Sequence, residues 1–334
     1  MFSKLTIGFS TRKINNDFLE HIKKYIGLKE SEYEIIPIEN NGIMSLSKTY
    51  NTIIDKSNND IVVLIHDDIK IEQNWGLKLL KHFNKNTHDI IGVAGTTMLP
   101  KSGQWWEQPL NMKGIVKHSK DGKTWVSKFS ETQGYDIHDV VILDGLFLAF
   151  NKNNIKHKFD EEFNGFHFYD LGFTFPNYLD NVKIGVITDI RVTHYSIGET
   201  NNQWEENRKQ FVEKYKNKFK QKIKILTGFS EKGGSTIALI NLTNELNKNG
   251  YDTILYGPHN WHLDKCIGGL LNNQIRFDED DILITHFLEL QERPNCKKVI
   301  LTCHEKWWFK PGDIKQYWDT VVFLHKEHQL YHDN

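Results

Sequence analysis

"DIVVLIHDDIKIE", residues 60–72, decides how this chain reads. The apolar run from Ile61 to Ile65 shows no polar alternation, the pattern of a strand buried on both faces of a parallel sheet. It ends in His66, Asp67 and Asp68, three side chains that resist burial. In open α/β sheets, ligands bind beyond the carboxyl ends of the strands, where loops converge. The triplet therefore stands in a ligand position. Two adjacent carboxylates repel each other unless solvated or neutralised, and oxygen donors suit Mg²⁺ or Mn²⁺. A solvated strand-to-loop turn is the competing reading.

Outward from this strand the chain alternates. "KLTIGFS" (4–10) reads as a strand, the spacing of Phe18, Ile22 and Ile26 as a helix, and "YEIIPIE" as a second strand. Leu46, Tyr50, Ile53 and Ile54 share one face of a helix that leads into the 60–65 strand. "WGLKLLKHF" reads as a helix, "DIIGVAGT" as one strand, and residues 96–139 as irregular. "DVVILDGLFLAF" is a strand interrupted at Asp144 and Gly145, and "VKIGVI" and "IRVTHYS" are two more. This rhythm defines an α/β fold. Residues 203–222 form a basic amphipathic helix, a connector that can pack on the first domain or touch an anionic membrane surface. The βα rhythm restarts at "KIKILTGFS", predicting a second Rossmann-like domain over 223–334.

Composition narrows the class. The 334 residues carry 42 Lys plus Arg against 43 Asp plus Glu, a net charge of −1, so nothing draws the whole molecule to nucleic acid. The apolar runs fall short of the roughly 20 residues that span a bilayer, and the N-terminus lacks a signal-peptide pattern, so a cytoplasmic protein is expected. Cys266, Cys296 and Cys303 fit free thiols better than a zinc site on Cys303 and His304.

Four further features bear on the triplet. His194, in "THYS", closes another predicted strand and can add an imidazole, which moves the preference toward Mn²⁺. Asp144 and Gly145 break a buried run, either as a bulge or to let a ligand approach the backbone. Asp170, in "FHFYDLGF", is either a helix N-cap or a carboxylate that takes a proton from an attacking hydroxyl. Trp105 and Trp106 are either core aromatics or a stacking surface.

Taken in order, "GFSTRK", the helix bearing Asn51, "HDD", the "DG" break, "FYD" and "TH" resemble the GT-A fold nucleotide-sugar glycosyltransferases of the family 2 type, over about residues 4–200. The resemblance implies a GT-A type, Rossmann-like mixed sheet over 1–202. It implies Asp68, His194 and Asp67 as metal ligands for Mn²⁺ or Mg²⁺, with His66 standing where the family's first carboxylate would be. Thr11, Arg12, Asn51, His66 and Asp67 would serve the nucleotide, Asp144 and Gly145 the donor sugar or acceptor, Asp170 the catalytic base, and Trp105 and Trp106 the acceptor. The implied activity is a metal-dependent, inverting hexosyl transfer from a nucleotide diphosphate sugar, a UDP-sugar first of all, to a glycan or other hydroxyl acceptor. A nucleotidyltransferase acting on sugar phosphates and a degenerate carbohydrate-binding scaffold are the alternatives. The second domain resembles the N-terminal half of a GT-B type glycosyltransferase through "SEKGGSTIALINLTNELNKNGYDTILYG". Its roughly 110 residues are too few for a whole GT-B enzyme, which is compatible with a piece of a longer bifunctional protein.

Overall fold

The computed structural model describes residues 2–107, 111–129, 137–196, 198, 200–219, 221–228, 233–249, 251–257, 266, 269–271, 277–286, 288, 290–303 and 317–323. The chain divides into two compact units, Met1–Asn217 and Lys218–Asn334. That boundary falls inside the 203–222 segment.

In the first unit, β1 (Leu5–Thr11), α1 (Asn16–Tyr25), β2 (Tyr33–Glu39), α2 (Leu46–Lys56) and β3 (Ile61–Ile65) follow the alternation expected from the sequence. Asn15 caps α1 by accepting the Asp17 N–H at 2.9 Å, and Ser45 caps α2 by accepting that of Lys48 at 3.3 Å. The buried face of α2, with Leu46, Tyr50, Ile53 and Ile54, joins Val62 and Leu64 of β3 in one apolar cluster. Next come β4 (Ile69–Ile71), α3 (Trp75–Asn84), β5 (Ile90–Gly92), β6 (Ala94–Thr96), β7 (Met112–Lys120), β8 (Lys123–Lys128) and β9 (Ile137–Asp139). The unit closes with β10 (Ile142–Leu143), β11 (Phe147–Asn151), α4 (Tyr169–Leu179), β12 (Ile184–Ile187), β13 (Val192–His194) and α5 (Asn202–Tyr215).

The main sheet is mixed, with seven described strands in the order β2-β1-β3-β11-β5-β12-β9. Strands β2, β1 and β3 run parallel, and β11 is antiparallel to both β3 and β5. The order reverses between β1 and β3, which opens the ligand crevice expected at such a point. A smaller sheet runs β10-β6-β7-β13-β4, with β8 on β7.

Two expectations change here. "DIIGVAGT" is two strands in different sheets, because the chain crosses from β5 to β6 at Val93. Residues 96–139 are not irregular throughout: β7 and β8 form a hairpin in register from Ile115↔Lys128 to Lys120↔Lys123. Asp121 and Gly122 between them have φ of 51° and 75°, the two positive values of a type I′ turn.

The second unit is a parallel sheet of six described strands: β14 (Lys222–Thr227), β15 (Asp252–Gly257), β16 (Gly269–Leu271), β17 (Ile282–His286), β18 (Lys298–Cys303) and β19 (Thr320–Phe323). Their order, β16-β15-β14-β17-β18-β19, is the Rossmann order. Helix α6 (Gly234–Lys248) follows β14, with Gly233 at its N-cap; the rest of the glycine-rich loop, 229–232, lies outside the described residues. Lys224 and Asp281 are both buried and pair at 2.5 Å. The three cysteines are free and buried, and His304 is outside the described residues.

Candidate active site

Strand β3 delivers His66, Asp67 and Asp68 to the carboxyl end of the main sheet, and β13 delivers His194 beside them. The Tyr195 N–H donates to the Asp68 carbonyl at 3.0 Å, tying the two strand ends together. His194 Nε2 then lies 3.4 Å from Asp68 Oδ1, and His66 Nδ1 lies 3.8 Å from the same oxygen. Ligand atoms of His66, Asp68 and His194 all fall within 4.8 Å of one another. Among the described residues, Asp68 Oδ1 is nevertheless buried without a hydrogen-bond partner. A buried carboxylate oxygen is costly when left unsatisfied, and one facing two imidazoles fits a divalent cation. Asp67 is exposed and stands outside this group.

The electrostatics follow from the packing. Burial would raise the Asp68 carboxyl, but His194 and Ser196 beside it, with His66, outweigh burial and hold it at about 2. Burial works against a charged His194, yet the Asp68 carboxylate more than offsets it and raises the imidazole. His66 moves the other way, lowered by burial and then by His194.

Two cavities meet at this cluster. The first, about 530 Å³, opens above β1 and β3 and is lined by Thr11, Arg12, Lys13, His66, Asp67 and Asp68 among others. The second, about 370 Å³, is lined by His66, His194, Asp144, Asp170, Trp105 and Trp106 together with further aromatics. Asn51 lines neither. Its amide donates to the Phe159 carbonyl and Glu161 and accepts the Phe159 N–H, which staples the segment after β11 to α2.

Asp170 sits in the first turn of α4, and the N-cap position belongs to Phe168. Phe168 has φ of 62°, a costly conformation for a bulky residue that persists only where packing over-determines it. The bend aims Asp170 at the break between β10 and β11, where Oδ2 accepts the Gly145 N–H at 3.0 Å and Oδ1 accepts that of Leu171 at 2.9 Å. Asp144 turns its own carboxylate onto the Leu146 N–H at 3.0 Å. Burial first, and then the nearby charge of Asp144, push the Asp170 carboxyl up to about 7. A group titrating there can exchange protons at neutral pH.

Several residues of the site were not singled out from the sequence. The Tyr169 hydroxyl hydrogen-bonds His66 Nε2 at 2.6 Å, although its "FYD" context drew attention only to the aspartate. His118 on β7 pairs in register with His194 and stacks on Trp125 at 5.3 Å; it hid in the stretch read as irregular. Trp204 lines the second cavity from α5, the helix read as a connector. The buried face of that helix rests on the first unit, with Phe211 packed on Phe163, Phe168 and Phe175.

The crevice at the strand-order reversal, on a GT-A type domain followed by a second Rossmann-like α/β domain, is where such a sheet binds its ligands. The model of the "glycosyltransferase like family" matches residues 9–215, more than half of the chain, and the chain belongs to that family. Among solved structures it is similar to GalNAc-T7 with UDP, GalNAc and Mn²⁺, at 10% identity and a TM-score of 0.41, covering 64% of this chain and 48% of that one. It is also similar to S. aureus TarS, at 12% identity and a TM-score of 0.41, covering 64% of this chain and 39% of that one. The chain thus spans about half or less of these proteins. A search of the curated proteins found no match. No described helix is long and apolar enough to cross a membrane.

Proposed function

We propose that the first domain is a metal-dependent, inverting glycosyltransferase that moves a sugar from a nucleotide diphosphate sugar, a UDP-sugar in the first instance, to a hydroxyl of a glycan or other acceptor. The observation that carries this reading is the arrangement of His66, Asp68 and His194 at the seam of two cavities, with Asp170 in the second.

In this reading Thr11, Arg12 and Asp67 contact the nucleotide in the first cavity, and Arg12 with Lys13 offers positive charge to the diphosphate. Asp68, His194 and His66 would hold the cation, and two imidazoles favour Mn²⁺ over Mg²⁺. When bound, such an ion supplies Lewis-acid stabilisation of the charge that develops on the leaving diphosphate. Asp144 and Gly145 border the reacting sugar. Asp170 takes the proton of the acceptor hydroxyl as its oxygen attacks the anomeric carbon, on the face opposite the departing diphosphate, which inverts that centre. Each Asp170 oxygen accepts one backbone N–H and keeps a second lone pair for this proton.

The second domain is proposed to be the N-terminal half of a GT-B type fold, a reading supported by its strand order. The test of the main reading is calorimetric titration of the intact protein with UDP, GDP and CDP, each with Mn²⁺ and with EDTA. One nucleotide should bind, and only with Mn²⁺. Failure of all three would sink the reading.

A further inference from the structure

The second cavity has a wall that the proposed chemistry does not use. Trp106 is 41% exposed and Phe166 is 52% exposed, unusual for large apolar side chains, and both line the cavity with Trp204. Trp106 and Trp204 have ring centroids 5.7 Å apart, Trp204 rests on the buried Phe168 at 5.5 Å, and Phe166 lines the same cavity.

Helix α5 assembles this wall. Arg208 pairs with Glu205 at 2.7 Å and donates to the Ser102 carbonyl at 2.7 Å, which fastens α5 to the segment carrying Trp105 and Trp106. Asn207 is buried and donates to the carbonyls of Asn164 and His167 at 2.8 and 2.9 Å, which fastens the same turn to the segment carrying Phe166 and Phe168. One helical turn therefore holds both aromatic segments beside Trp204.

The charge of the cavity sets what it can take. Among the described residues lining it there is no Lys or Arg, while Asp144 and Asp170 supply two carboxylates. Cationic character is confined to the corner of His66 and His194, which the proposed cation and donor diphosphate take, so an anionic group beside Asp144 and Asp170 would meet like charge at a desolvation cost. Aromatic faces beside a few polar groups suit a flat, partly apolar, uncharged ligand bearing hydroxyls.

Resting on the glycosyltransferase reading, we infer that Trp204, Trp106 and Phe166 form an acceptor subsite for an uncharged pyranoside, with the sugar ring stacked on the aromatic wall and a hydroxyl directed to Asp170. The acceptor is then a neutral glycan terminus, and phosphate- or carboxylate-bearing acceptors are discriminated against.

The test is saturation-transfer NMR on the full chain. Methyl β-glucopyranoside, methyl β-galactopyranoside and methyl N-acetyl-β-glucosaminide serve as neutral probes, and methyl glucuronide and α-glycerophosphate as anionic ones. At least one neutral probe should receive saturation on its ring C–H groups. Its affinity should fall about tenfold in Trp204→Ala and in Trp106→Ala and be retained in Trp204→Phe, with thermal unfolding monitoring the fold of each variant. Absence of transfer to every neutral probe overturns the inference, as does equal binding of an anionic probe or wild-type affinity in both alanine variants. Nucleotide titration of the wild-type protein separates the two levels. Nucleotide binding without any pyranoside effect removes the subsite and leaves the glycosyltransferase reading standing, whereas absent nucleotide binding removes that reading itself.

Discussion

The Tyr169 hydroxyl and His66 Nε2 lie 2.6 Å apart, and this bond joins the helix that carries Asp170 to the strand end that carries Asp68. Burial pushes the phenol well above its ordinary range, so it stays protonated. A cation held at Nδ1 would require Nε2 to carry the proton and donate it to the phenol oxygen. Such outer partners fix the tautomer and orientation of a ligating histidine.

Tyr169→Phe removes this bond and little else, since the ring keeps its edge contact with Tyr50 at 5.5 Å. Mn²⁺ affinity, read by calorimetry without nucleotide, should fall about 10-fold or more, while stability in urea drops by only ~1 kcal/mol. Unchanged Mn²⁺ affinity would show that His66 needs no orienting partner or is not a ligand.

Gly145 has a steric role tied to the same hydroxyl. A Cβ built there would stand 2.0 Å from the Tyr169 hydroxyl oxygen and 2.4 Å from the carbon that bears it. Tyr169 is buried and cannot retreat. Gly145→Ala should therefore cost ~1–3 kcal/mol by overpacking and displace His66 as well. Urea unfolding gives the first effect. Combination with Tyr169→Phe, which relieves the crowding only in part, should give a sub-additive double mutant.

The strand ends were legible in the sequence because a buried parallel strand is an unbroken apolar run. His66, Asp67 and Asp68 could be located from that rule alone, whereas His194 closes the short β13, whose Val-Thr-His pattern is no unbroken apolar run. The division of labour among them was not legible, since whether Asp67 or His66 turns toward Asp68 depends on side-chain direction past the last strand residue. Asn51 shows the same limit: an Asn on a helix near a ligand edge looks available until its amide is found on the Phe159 backbone. The β7–β8 hairpin was missed although "KDGK" carries a two-residue turn signal, because the flanking residues of β8 are mostly exposed and offer no apolar pattern. Trp204 escaped because a basic helix gives no sign of which loops it holds together.

Asp68→Asn keeps the size of the side chain and removes its charge. Mn²⁺-dependent nucleotide binding should be lost, while far-UV circular dichroism stays as in the wild-type protein, because among the described residues Oδ1 has no hydrogen-bond partner to lose. Retention of metal-dependent binding would move the cation elsewhere.

Asp170 gives a prediction in pH. Its carboxyl is raised to about 7 in the folded chain, against about 3.9 when unfolded. The fold therefore favours the protonated form, and the stabilisation this gives is fully present below about pH 4 and is lost as pH rises through about 7. Activity runs the opposite way, since a base must be deprotonated: kcat/KM should rise with pH to a plateau above about 7. Asp144→Asn removes the like charge while keeping an oxygen for the Leu146 N–H, so the acidic limb should move to lower pH. Asp170→Asn should lower kcat by about 10²–10⁴, leave nucleotide affinity near wild type and flatten the pH dependence of stability between about 4 and 7. A limb that stays in place in Asp144→Asn, together with turnover surviving in Asp170→Asn, would assign the base to another group.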